Sequence, residues 1–137
     1  MLNDPQYDEL FFYTLNRSDP DFIHQLAVNA YCAQHAGAET KPIALVFALI
    51  GLYLHVEHGI TGRQIQRIHM YLAQRRCDWP RLPLPAERGH ITIADVLAKA
   101  PGLPRDTAIH DWCVSVWDVY SITRAQIAAL LPTPLPR

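Results

Sequence analysis

The chain has only three cysteines, Cys32, Cys77 and Cys113, among 137 residues. They are too few and too far apart for the disulfide framework of a small secreted domain, which favours a reducing compartment. The N-terminal segment MLNDPQYDEL carries acids where a signal peptide would carry a basic stretch followed by an apolar one. We therefore expect a cytoplasmic protein.

A hydrophobic run long enough for a membrane span is also missing. The longest uncharged apolar stretch, Pro42 to Val56, would extend about 22 Å as a helix, whereas the hydrocarbon core of a bilayer is about 30 Å thick. This stretch predicts a central buried helix, and no membrane partner is expected.

Several catalytic motifs are absent as well. The six glycines form neither a GxSxG motif nor a phosphate-binding loop, and no HExxH motif occurs. The sequence gives no support to serine hydrolysis, phosphoryl transfer or zinc-protease chemistry. Whether the protein is an enzyme stays open at this point.

What the sequence does contain is helical periodicity. Half of the residues are hydrophobic and 18% are charged, which is typical of a globular domain. The spacing of apolar residues predicts one domain, residues 1–137, folded as an all-α bundle of five to seven helices with a proline-rich connecting strap lying across it. The expected helices lie at residues 5–15, 20–37, 41–58, 61–76, 93–100, 105–120 and 123–132, and the strap at residues 77–89. Expected caps are Asp19, Gly59, Thr61, Thr92 and Thr123.

Charge is unevenly distributed along the chain. Residues 1–40 contain six acids and one basic residue, Arg17, whereas residues 63–88 contain six arginines and two acids. This asymmetry could guide an acidic partner to one surface, but more often such halves pair within one fold or between protomers. We expect a homodimer. The arginines of the fourth helix are interpreted as a solvated face, because the net charge is −1 and no nucleic-acid recognition motif occurs.

The second helix places polar side chains on a face that should be buried. Gln34 falls in the middle of its apolar face, and His24, Tyr31 and His35 line the edge. A buried polar group without a partner costs about 1–3 kcal/mol. These side chains therefore need hydrogen-bond partners from elsewhere in the fold.

The long C-terminal helix supplies two candidate partners. His110 borders the apolar face of that helix, and Trp117 lies on the same stripe. We expect these two residues and the four polar residues of the second helix to line one pocket between the two helices. The alternative is a purely structural polar network.

A second histidine cluster suggests a metal site. His55 and His58 are three residues apart, a spacing compatible with shared ligation of a divalent transition metal, and His69 is the candidate third ligand. The alternative is that both lie in the last helical turn and interact with its C-terminus as cations. His110 and Cys113 have the same spacing and could form a thiolate–imidazole dyad for nucleophilic catalysis. Cys113 belongs to an apolar stripe, however, and is interpreted as core.

Three blocks of the sequence are HQLAVNAYCAQH at 24–35, GHITIADVL at 89–97 and HDWCVSVWDVYS at 110–121. Together they resemble the HxLxVxxYxxQH block, the GxxTxxDV block and the His- and Trp-containing helix of a bacterial family known only as a domain of unknown function. That family usually carries an acid where Asn29 stands here, and a proline where Ala36 stands. The resemblance implies that the three blocks belong together, and it implies no activity.

The leading interpretation is binding of a small-molecule ligand, with or without a divalent transition metal, in the pocket described above. Its histidines would titrate near neutral pH, with Gln34 and Tyr31 orienting them and Trp117 forming an apolar wall. The alternative is a protein-interaction or scaffold module in which the histidines are structural. In that case Tyr7, Phe11 or Trp79 would form a partner-binding patch outside the core.

Overall fold

The computed structural model describes residues 4–75 and 77–136, and these ranges contain helices and no strand. The helices are α1 (Pro5–Leu15), α2 (Ile23–His35), α3 (Pro42–His58), α4 (Gly62–Ala73), α5 (Ile93–Leu97), α6 (Leu103–Tyr120) and α7 (Arg124–Ala129), with a 3-10 turn at Ser121–Thr123. The predicted all-α bundle is confirmed. No helix within the described ranges has both the length and the apolar content that a membrane span needs.

α3 lies at the centre of the bundle, as its apolar sequence predicts, and it contacts α2, α4, α6 and α7. Gly51 lies directly against α2, because a Cβ atom there would be 2.0 Å from Nδ2 of Asn29. The absence of a side chain at Gly51 thus lets the two helices pack tightly.

Local capping sets several boundaries where the sequence predicts them. The Thr61 hydroxyl accepts a hydrogen bond from the backbone N–H of Gln64 at 3.2 Å, and Thr92 forms a capping box with Asp95. Gly59 follows α3 in the left-handed conformation, with φ of 66°. Thr123 does not cap α7, because its hydroxyl donates to the carbonyl oxygen of Tyr120 instead.

The start of α2 differs from the prediction. The helix begins at Ile23 rather than at Pro20, because Phe22 adopts a positive φ of 55° and a turn precedes the helix. The Asp19 carboxylate still accepts the backbone N–H of Ile23, at 2.6 Å. The backbone N–H of Arg63 donates to the Asp21 carbonyl oxygen at 2.8 Å, so this turn joins the start of α2 to the start of α4.

The proline-rich strap, residues 77–89, runs over the bundle without helix or strand. Leu82 is buried, and Trp79 packs edge-on against Phe47 with ring centroids 5.2 Å apart. Arg88 then closes the C-terminus of α2, since its Nη1 donates to the carbonyl oxygen of Ala36 at 2.7 Å. The strap is therefore an ordered part of the fold.

Candidate functional site

Gln34, the buried amide of α2, has partners on every side. Its Nε2 donates to the carbonyl oxygens of Ile91 at 2.7 Å and Arg88 at 3.0 Å, and its Oε1 accepts Nε1–H of Trp112 at 2.9 Å. The prediction that this amide must find partners is confirmed. It joins α2, the strap and α6, and both of its amide hydrogens are engaged by protein.

Two other polar residues of α2, His24 and Tyr31, have their hydrogen-bond partners in or next to α1. Nδ1 of His24 is 2.8 Å from the Thr14 hydroxyl, and burial between Phe11 and Phe22 lowers the pKa of His24. Tyr31 donates its hydroxyl to the Asp4 carboxylate at 2.6 Å. Loss of solvent raises the pKa of Tyr31, and this hydrogen bond adds to the shift.

His35 and Trp117 have different surroundings again. The exposed ring of His35 stacks on Tyr31, with centroids 4.1 Å apart. Nε1 of Trp117 donates to the Glu57 carboxylate at 2.8 Å, and Glu57 is paired with Arg124 at 2.6 Å. The structure therefore does not bring the six predicted pocket residues together: of them, His110 alone lines the cleft described below.

The three predicted metal ligands are also apart. Nε2 of His58 is 3.0 Å from the Tyr53 hydroxyl, while Nε2 of His69 is 2.7 Å from the carbonyl oxygen of Phe47. His55 instead meets His110, with its Nε2 2.9 Å from Nδ1 of His110. Across residues 4–75 and 77–136, no three His, Cys, Asp or Glu side chains are arranged to hold a metal ion.

The His55–His110 pair lies at a cleft of about 400 Å³. The end of α3 contributes His55, and the first turns of α6 contribute Asp106 and His110. Its remaining walls come from the turn before α2, the start of α2 and the connection from α3 to α4, so four helices meet here. The sequence marked both histidines, but it assigned them to two different sites.

The chain reversal after α3 fixes the tautomer of His55. Gly59 turns the backbone so that the carbonyl oxygen of Ile60 lies 3.2 Å from Nδ1 of His55. A carbonyl oxygen only accepts hydrogen bonds, so Nδ1 of His55 carries the proton and Nε2 carries a lone pair. In this arrangement Nδ1 of His110 donates to Nε2 of His55, which leaves Nε2 of His110 as the second lone pair.

Burial favours the neutral form of His55. Its pKa is lowered chiefly by loss of solvent, and the neighbouring His110 lowers it further through charge repulsion. His110 itself is exposed. The pair thus combines a half-buried, oriented imidazole with one that is accessible from solvent.

Three carboxylates and one guanidinium border the same cleft. Asp106 accepts the Tyr13 hydroxyl at 2.8 Å and forms an ion pair with Arg17, and Asp19 is used as a cap. Asp21 is exposed, and its backbone carbonyl rather than its carboxylate makes the contact with α4. With neutral histidines the cleft therefore carries an excess of negative charge.

The aromatic patch expected for an interaction module does not form from the residues named for it. Phe11 is 7% exposed and belongs to the core, and Tyr7 packs on it with ring centroids 4.0 Å apart. Trp79 is half-buried against Phe47. The prediction that these side chains lie outside the core is wrong for Phe11.

Comparison with known proteins gives one match. The model of a family of unknown function (DUF5946) matches residues 4–121, from the start of α1 to the end of α6. No curated protein and no solved structure matches the chain. The matched segment contains both histidines of the pair and all the elements that surround the cleft.

Proposed function

This chain belongs to that family of unknown function, and from its own residues we propose that it binds a small-molecule ligand in the cleft at His55 and His110. The supporting observation is the pair itself: two imidazoles from α3 and α6, 2.9 Å apart, at the wall of a cleft. One of the two is held in a defined tautomer by the backbone, and the other is exposed, with no hydrogen bond to its Nε2 from residues 4–75 and 77–136.

The size of the cleft and its lining indicate the kind of ligand. About 400 Å³ lies within the roughly 300–1,000 Å³ of small-molecule sites. Ile23, Leu26, Ile60 and Leu103 give apolar walls, and the carboxylates outnumber the single guanidinium of Arg17. This combination favours a partly apolar molecule with a positively charged or hydrogen-donating group, such as an organic amine.

The test is a screen of small amines against isotope-labelled protein with EDTA present, read by amide chemical shifts in NMR. We expect the largest shifts at Gly59, Ile60 and Thr61, which line the cleft. Asp21→Asn should weaken binding of a cationic ligand, because it removes an exposed carboxylate at the cleft.

Asp111→Asn is the matched control, since Asp111 is an exposed acid in a different depression on α6. Equal losses in the two variants, or shifts scattered away from the cleft, would contradict the proposal. The cytoplasmic location and the homodimer expected from the sequence stay predictions, as does any catalytic step after binding.

A further inference from the structure

Resting on the proposed use of this cleft as a ligand site, we propose that His55 and His110 jointly bind one divalent transition-metal ion. The ligating atoms are Nε2 of His55 and Nδ1 of His110, and water or the small ligand completes the coordination. Neither His58 nor His69 takes part, because Tyr53 and the carbonyl oxygen of Phe47 engage them elsewhere.

The separation of the two nitrogens fits ligands at a right angle on one ion. With metal–nitrogen bonds of about 2.05 Å, two ligands at 90° are about 2.9 Å apart and two tetrahedral ligands about 3.3 Å apart. The observed separation is 2.9 Å. Right-angled nitrogen ligands suit the tetragonal and octahedral geometries of Cu²⁺ and Ni²⁺.

The backbone already supports His55 as a ligand. A metal-bound histidine characteristically donates its other ring N–H to a carboxylate or a backbone carbonyl, which fixes the ring and its tautomer. Nδ1 of His55 makes this contact with the carbonyl oxygen of Ile60 at 3.2 Å. The lone pair on Nε2 is thereby presented to the partner ring.

Binding requires one proton to move and none to be lost from the neutral pair. The proton on Nδ1 of His110 leaves that atom, and a proton is taken up at Nε2 of the same ring, which remains a neutral imidazole. Two lone pairs then face the ion. The cost of the change is low, because His110 is exposed and its Nε2–H can be hydrated.

The surrounding charges favour a cation. Asp21 and Asp106 border the cleft, and the Asp21 carboxylate is exposed. Within the described ranges no third side chain is arranged as a ligand, so the site offers two nitrogens and leaves its other positions open. An ion held in this way is accessible to a small molecule.

The experiment uses the full chain without a histidine tag. Isothermal titration with Ni²⁺ should show one equivalent bound, and electron paramagnetic resonance of the Cu²⁺ form should show coupling to two nitrogens. His110→Gln should weaken Ni²⁺ binding at least about tenfold, which is about 1.4 kcal/mol, and remove one nitrogen from the Cu²⁺ signal.

His35→Gln is the control, since His35 is an exposed histidine stacked on Tyr31 outside the cleft. Its affinity for Ni²⁺ should equal that of the wild type. Absence of stoichiometric binding, or equal losses in His35→Gln and His110→Gln, would overturn the proposal. His110 is exposed, so its variant should fold even where a change at the half-buried His55 does not.

Failure of this inference is distinguishable from failure of the proposed function, because the amine screen is run in EDTA. An amine that binds at Gly59 to Thr61 in EDTA, from a protein that takes up no Ni²⁺, overturns the metal site alone. Ni²⁺ bound by the pair with no amine binding overturns the amine ligand alone.

Discussion

Two polar clusters of this molecule show opposite arrangements. Around Gln34, both amide hydrogens and the amide oxygen are engaged by Arg88, Ile91 and Trp112. Around His55 and His110, one ring is anchored to the backbone while the other stays exposed at a cleft. The first cluster joins elements of the fold, whereas the second keeps one imidazole exposed to solvent.

The comparison shows that a polar residue beside an apolar face does not by itself indicate a binding site. The sequence pattern places both Gln34 and His110 at an apolar helix face. In the structure Gln34 is buried and fully hydrogen-bonded, whereas the ring of His110 is exposed to solvent. The discriminating property is whether the fold uses all of the donors and acceptors of a side chain.

The largest effect on stability is expected around Gln34, where every hydrogen-bonding group of the side chain is engaged by protein. Gln34→Leu removes three hydrogen bonds and leaves the buried Nε1–H of Trp112 without its acceptor. We expect a loss of about 3 kcal/mol in the free energy of unfolding, measured in urea. His35→Ala, at the exposed neighbouring position, should change it by less than about 0.5 kcal/mol. A loss at Gln34 as small as that at His35 would contradict the view that this cluster holds the fold together.

Asn29 offers an intermediate case between the two clusters. Its Oδ1 accepts Nε2–H of Gln25 at 3.0 Å, but its Nδ2 is buried without a hydrogen-bond partner in the part of the chain that the structure describes. Gly51 lies against this amide. Gly51→Ala would place a methyl group 2.0 Å from Nδ2, and we expect a loss of about 2 kcal/mol.

The double variant Gly51→Ala/Asn29→Ala checks the cause of that loss. If the clash with the amide is responsible, the two changes together should cost at least about 1 kcal/mol less than the sum of the single changes. Urea unfolding of the four proteins gives the coupling directly. Strict additivity would place the effect of Gly51→Ala elsewhere in the α2–α3 contact.

The fold was predictable from the sequence because its signals are local. Thr61, Thr92 and Gly59 act within one helical turn, so their caps are found without knowing the tertiary structure. The start of α2 was not predictable, because the positive φ of Phe22 occurs in a turn that contacts α4, which is distant in sequence. The carbonyl groups of Asp21 and Phe22 meet the first turn of α4 closely, and a Cβ on Gly62 would lie 2.1 Å from the Phe22 carbonyl oxygen.

The candidate site was less predictable than the fold. Helical periodicity shows which residues share a face, and it marked His110 as bordering the core and His55 as a candidate ligand. It carries no information on which faces of distant helices meet. The pairing of residues 55 positions apart, through a turn at Gly59 and the packing of α6 on α3, depends on tertiary contacts alone.

A third prediction concerns His69, whose ring is held in the bundle, in contrast to the exposed ring of His110. His69 lies in the bundle with Nε2–H directed to the carbonyl oxygen of Phe47, and burial lowers the pKa of His69. The unfolded state therefore takes up a proton near pH 6.5 before the folded state does, so stability is lost as the pH falls below that value. His69→Gln retains an N–H donor but removes the group that takes up a proton in this pH range.

For this variant we expect the loss of unfolding free energy between pH 8 and pH 5 to be up to about 1 kcal/mol smaller than in the wild type. Urea unfolding at the two pH values measures it, and the value at pH 8, where the imidazole is neutral in both states, is the internal reference for any packing change. An unchanged pH dependence would mean that His69 is protonated equally in both states.

The smallest effect on stability is expected at the His55–His110 pair. His110→Ala removes an exposed ring that, among the described residues, hydrogen-bonds to His55, and Nε2 of His55 can then bind water at the cleft. We expect the free energy of unfolding to change by less than about 0.5 kcal/mol, while Ni²⁺ binding falls as in His110→Gln. If His110 serves binding, its loss should weaken Ni²⁺ binding and leave stability almost unchanged. If His110→Ala instead cost as much as Gln34→Leu, the pair would be a second structural network, and both proposals for the cleft would lose their basis.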